Sequence, residues 1–150
     1  MNVLFVCLQN AGRSQMAEAL FTFLADGRHE GRSAGAAPAE RVHPEAVWAM
    51  AELELDLSER KPRKLGPVDV VWADVVVSMG CGDACPFVPG KRYVDWELAD
   101  PAGKGLMVTR RIRDEIGLRV IDLVLELDRQ CPGAGRTQRP SYATSILGAA

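Results

Sequence analysis

The feature that most constrains this chain is a change of period between Asn2 and Leu24. "NVLFVC" is a short run of β-branched and aromatic residues, the pattern of a buried strand. The stretch "LQNAG" breaks that run. Ala17, Leu20, Phe21 and Leu24 then recur at i, i+3, i+4 and i+7, which is one face of a helix. The exchange repeats along the chain. "HEGRSAG" reads as a second strand ending in glycine. Pro44 stands at a first-turn position for a helix expected to run to about Leu57, with Val47, Met50, Leu53 and Leu57 facing inward. "VDVVWADVVVSM" divides into a short helix and a buried parallel strand, "DVVVSM". "KRYVDWEL" is a last, shorter strand, and Ile112, Ile116, Val120, Leu123, Val124 and Leu127 mark a long amphipathic helix. Strands alternating with helices predict an α/β fold, an open sheet with helices on both faces.

Composition narrows the class. A chain of 150 residues suits one domain, and 47% hydrophobic with 25% charged residues fits a soluble globular protein. A net charge of -2 argues against a general nucleic-acid binder and leaves room for a local cationic pocket. "MNVLFVCL" is too short to span a bilayer and lacks a basic leader or cleavage site. A cytoplasmic protein without a membrane partner is expected. The apolar period stops after Asp128, so residues 1–128 are expected to form the domain and residues 129–150 a flexible tail. Trp48, Trp72 and Trp96 are expected to pack.

In an open α/β sheet, ligands bind beyond the carboxyl ends of the strands. Residues 7–14, 80–90 and 98–105 fall there, and each holds a reactive side chain. The first is the most informative. In "CLQNAGRS" a loop between a strand and a helix N-terminus presents unpaired backbone N–H groups to one point. Leu8, Gln9, Asn10, Ala11, Gly12, Arg13 and Ser14 are thereby an oxyanion-binding set. Gly12 lets the backbone curl, and the Arg13 fork suits a tetrahedral oxyanion. The same field stabilises a thiolate at Cys7, to which Ser14 can donate. A lone cysteine at a strand end is most often an inert small hydrophobe; the eight-residue combination reverses those odds. A nucleotide-binding P-loop fits poorly, since "GRS" lacks the lysine and Cys7 replaces the first glycine.

"VLFVCLQNAGRSQMAEAL" resembles the active-site loop of the low-molecular-weight protein tyrosine phosphatase superfamily. "RSAG" at 32–35 and "HPEA" at 43–46 resemble its next landmarks, and Asp100 in "ADPAGK" matches its aspartate-proline general acid. The resemblance covers roughly residues 1–128 and implies a four-stranded parallel sheet of order 2-1-3-4. "MGCGDACPFVPGKRYVDWELADPAGK" further resembles the thioredoxin-coupled arsenate reductases of that superfamily. Where its phosphatases carry a second loop cysteine and a tyrosine after Asp-Pro, this chain has Gly12 and Ala102-Gly103-Lys104.

The resemblance implies that Cys7, Arg13, Cys81, Cys85 and Asp100 are catalytic. Cys7 attacks arsenate, Cys81 is the second thiol and Cys85 the third, recycled by thioredoxin or a similar thiol reductant. No cofactor and no metal are expected. Cys81 and Cys85 could form half of a zinc site, but only Cys131, His29 and His43 could complete it, from distant segments. Asn10, Glu18 and Ser33 match positions that contribute to a potassium site in some family reductases. Lys64 stands where its acidic partner is expected, which argues against a bound cation. The competing readings are a phosphatase hydrolysing phosphate monoesters through a cysteinyl-phosphate, and a non-catalytic oxyanion or metal sensor.

Overall fold

The computed structural model describes residues 1–81 and 89–131. In chain order the elements are β1 (Asn2–Cys7), α1 (Arg13–Ala25), β2 (Glu30–Gly35), α2 (Pro44–Ala51), α3 (Pro67–Trp72), β3 (Val75–Met79), β4 (Arg92–Asp95) and α4 (Gly105–Gln130). The strands form one sheet of order β2-β1-β3-β4, and every neighbouring pair is parallel. Cys7, the last residue of β1, lies opposite Gly35 of β2 and Met79 of β3.

Side chains of successive strand residues point to opposite faces. Val3, Phe5 and Cys7 join Val75, Val77 and Met79 in a cluster with α1, α2 and α4. Leu4, Val6 and Val76 pack on the other face with Ala34, Val70 of α3 and Cys81. The apolar runs of β1 and β3 are thus explained: both strands are covered on both sides.

Helix α2 ends at Ala51 rather than near Leu57. Leu53 and Leu55 both donate their N–H to the carbonyl of Met50, and Glu54 adopts a positive φ of 61°, so the chain turns back on itself. Leu57 is buried all the same, as a loop residue. The tryptophans divide. Trp96 packs against Phe5, and Trp72 lies under the Arg32 guanidinium, but Trp48 is 56% exposed, contrary to the expectation that it packs. Helix α4 extends through Gln130, two residues past the expected boundary at Asp128. Among the described residues no helix is long and apolar enough to cross a membrane.

Candidate active site

Residues 8–12 leave β1 and curl back into α1 across the carboxyl end of the sheet. The connection between β2 and α2 determines how that loop is oriented. Ala36, Ala37, Ala39 and His43 donate their N–H groups to the carbonyls of Cys7, Leu8, Gln9 and Ala11. In a trans peptide the N–H points opposite to its carbonyl. The N–H groups of Leu8, Gln9, Asn10 and Gly12 are therefore turned away from that connection, towards the loop's interior. One of them is caught in the act: Asn10 donates its N–H to Cys7 Sγ at 3.3 Å. No carboxylate stands in the first turn of α1 to compete for these donors. Gly35 makes the approach of the two segments feasible, since a Cβ there would lie 2.8 Å from both the Asn10 nitrogen and the Leu8 oxygen.

Asn10 is the hub of the loop. It is fully buried in a left-handed conformation at φ 50°, which asparagine tolerates better than most residues. Its Oδ1 accepts from the backbone N–H of Arg63 at 2.9 Å, which fixes the orientation of the amide. Gln15 Nε2 donates to the same oxygen and to the Asn10 carbonyl. Asn10 Nδ2 then donates to Ser14 Oγ at 2.7 Å, and Ser14 Oγ lies 2.9 Å from Cys7 Sγ. Because Ser14 accepts from Asn10, its own hydroxyl proton is available to the sulfur. Two donors therefore converge on a cysteine that is 2% exposed.

Arg13 is 7% exposed and lies on the same rim. It donates to the Leu98 carbonyl at 3.3 Å and reaches Asp100 Oδ2 at 3.6 Å. Asp100 itself is about half exposed, so its carboxyl faces the opening. Gly80, at φ +78°, underlies the guanidinium: a Cβ there would come within 2.5 Å of Arg13 Nη1. The next residue, Cys81, is held in a disulfide, whereas Cys7 and Cys131 are free thiols. Cys85 lies outside the described residues.

The structure thus brings together Cys7, Leu8 to Ser14, and Asp100, with Cys81 behind Gly80. Leu8 and Gln9 are exposed, while Asn10 to Ser14 are buried. Among the described residues no group of three metal-binding side chains is present. Around Glu18 the neighbours are protein groups: Ser33 donates to Oε2 at 2.9 Å, and Arg60 pairs with the same oxygen. Sequence reasoning missed Arg60, Gln15 and the backbone of Arg63. The signal was present in the basic run "RKPRK", residues 60–64, but nothing in a sequence says which loop such a run will brace.

A buried thiol met by backbone and hydroxyl donors, with an arginine on the same rim and a carboxyl facing it, is an arrangement suited to cysteine chemistry on a tetrahedral oxyanion. The chain belongs to the low molecular weight phosphotyrosine protein phosphatase family, whose model matches residues 2–133. The glutaredoxin arsenate reductase of Synechocystis is 36% identical over 128 residues, covering 83% of this chain and 97% of its own. The thioredoxin-dependent arsenate reductase of Corynebacterium glutamicum superposes with a TM-score of 0.74 at 38% identity, covering 86% of this chain; this chain spans 62% of that one. The YwlE arginine phosphatase of Geobacillus stearothermophilus superposes with a TM-score of 0.77 at 25% identity, over 91% of this chain and 99% of its own.

Proposed function

We propose that this chain is an arsenate reductase working through a three-cysteine relay. The observation that carries the reading is the state of the cysteines. Cys7 is a free thiol in the cradle, and Cys81, next to the glycine beneath Arg13, is in a disulfide. A phosphatase needs the first and has no use for the second. The two reductase relatives, at 36% and 38% identity, are nearer in sequence than the arginine phosphatase at 25%.

The Cys7 thiolate attacks arsenic, and Asp100 gives a proton to a departing oxygen, which leaves as water. The Cys81 thiolate then attacks Cys7 Sγ. The sulfur–arsenic bond breaks with its electron pair going to arsenic, which passes from As(V) to As(III) and leaves as arsenite. A Cys7–Cys81 disulfide remains. The Cys85 thiolate attacks Cys81, and Cys7 departs as thiolate. An external dithiol of the thioredoxin or glutaredoxin type reduces the resulting Cys81–Cys85 bond, consistent with a cytoplasmic setting. Arg13 and the loop N–H groups hold the oxyanion throughout.

Titration of fully reduced protein with arsenate, without external reductant, tests this. Two thiols should disappear for each arsenite released, and Arg13→Lys should slow release roughly 10²-fold or more. Arsenate that leaves the thiol count unchanged, with brisk hydrolysis of an aryl phosphate, would establish the phosphatase reading instead.

A further inference from the structure

Beside the nucleophile loop, between α1, β2 and the 60–63 segment, lies a cavity of about 460 Å³. Cys7, Arg13 and Asp100 do not line it. Four cations do, Arg32, Arg60, Lys61 and Arg63, against one carboxylate, Glu18. Three of these cations come from the run "RKPRK", in a chain whose net charge is -2.

The charges are only partly neutralised. Glu18 is taken by Arg60, and Asp69 pairs with Arg63 at 2.8 Å. Arg32 reaches Glu30 only at 3.5 Å and lies 4.0 Å over the Trp72 ring, an arrangement that keeps its charge available. Lys61 has no acidic partner among the described residues. With Arg60 and Arg63 paired, Arg32 and Lys61 leave an excess of positive charge in this space, so the field favours an anion. The volume lies within the range of small-molecule sites, roughly 300–1,000 Å³, and exceeds what one tetrahedral oxyanion fills.

Besides Ser33 of β2, the remaining wall of the cavity is the back of the Cys7 loop and the start of α1. Asn10 and Gln15 line it. Both are held by the basic segment: Arg63 donates its backbone N–H to Asn10 Oδ1, and the Lys61 carbonyl accepts from Gln15 Nε2. Any shift of residues 61–63 towards a bound anion is therefore transmitted to Asn10, and through Ser14 to the sulfur.

We propose that this cavity is a second anion site, for a small multiply charged anion such as a phosphoanhydride, and that its occupancy is felt at Cys7. The proposal does not depend on arsenate reduction, and its test uses no turnover. Inorganic pyrophosphate is titrated calorimetrically into the reduced full-length chain and into its Arg13→Lys, Lys61→Glu, Lys61→Arg and Arg32→Gln variants. Circular dichroism verifies that each variant is folded. Binding should survive Arg13→Lys and Lys61→Arg, and should weaken at least tenfold in Lys61→Glu and in Arg32→Gln. In the Arg13→Lys background pyrophosphate should change the rate of Cys7 alkylation by iodoacetamide at least threefold, and adding Lys61→Glu should remove that response. Absence of binding, binding lost with Arg13 alone, binding indifferent to Lys61 and Arg32, or an unaltered alkylation rate would each overturn the proposal.

Discussion

At the scale of single residues, the site depends on who donates to whom. Asn10 can donate to Ser14 only because Arg63 and Gln15 occupy its oxygen, and Ser14 can donate to Cys7 only because Asn10 donates to it. Asn10→Asp keeps the shape and the two accepted bonds but replaces the donor with a second acceptor. Ser14 should then turn its proton to the new carboxylate and leave the sulfur. Alkylation of Cys7 at neutral pH should slow by about tenfold, one hydrogen bond's worth, with little loss of fold. An unchanged alkylation rate would show that the Ser14 proton does not act on the thiol. Gly80→Ala is the matching test for the arginine. The new methyl must displace the guanidinium and also strain a positive φ, so anion affinity should fall while Cys7 remains reactive. Most of these residues were legible in the sequence, because eight consecutive positions had to be right at once. The direction of each hydrogen bond was not, since it depends on Arg63, far along the chain.

At the scale of elements, β1 and β3 were legible because each is a short apolar run, and α4 because its period persists for several turns. The end of α2 was not. Met50, Leu53 and Leu57 keep helical spacing across a chain reversal, and a buried residue looks the same to the pattern whether a helix or a loop delivers it. What anchors the true end of α2 is Glu52. It accepts from Arg110 and Arg113 of α4, and those partners, Arg110 first, hold its carboxyl below the ordinary value of 4.5. A carboxyl depressed by folding stabilises the native state above its unfolded pKa, and that contribution disappears as pH falls through the lower, folded value. Wild type should therefore melt slightly higher than Glu52→Gln at pH 7, with the gap closing below pH 4.5. The effect should be small, because the pair is partly exposed and screened. A gap that widens on acidification would contradict the assignment. We also propose that the fold ends with α4: a chain stopped after Gln130 should keep the melting temperature of the full chain, because Leu127 keeps its place in the core and Asp128 its pairs with Arg28 and His29.

At the scale of the molecule, the two cysteines that the proposed relay joins first start on different faces of the sheet. Cys7 belongs to the cluster shared with Met79, and Cys81 to the one shared with Leu4 and Val6. Simple alternation from Val75, Val77 and Met79 would place residue 81 on the Cys7 side; the positive φ of Gly80 redirects it. Sequence could name the two thiols but not foresee this separation, because it hangs on one backbone angle. In the proposed relay, attack of Cys81 on Cys7 thus requires the chain to reorganise about Gly80, and Gly80 cannot move without disturbing Arg13, which rests on it. Formation of the Cys7–Cys81 bond and release of the oxyanion from Arg13 are expected to go together. Cys85→Ser isolates that state, since the thiol assigned to resolve it is gone. After one arsenate pulse this variant should release one arsenite and stop. Peptide mapping should then find Cys7 joined to Cys81. Phosphate affinity of the trapped protein should fall at least tenfold, while hydrogen exchange rises at residues 79–81 and stays unchanged in β1 and β2. A Cys7–Cys85 bond and arsenite release in Cys81→Ser would reverse the order of the two thiols. Undiminished phosphate affinity in the trapped protein would uncouple Gly80 from the arginine.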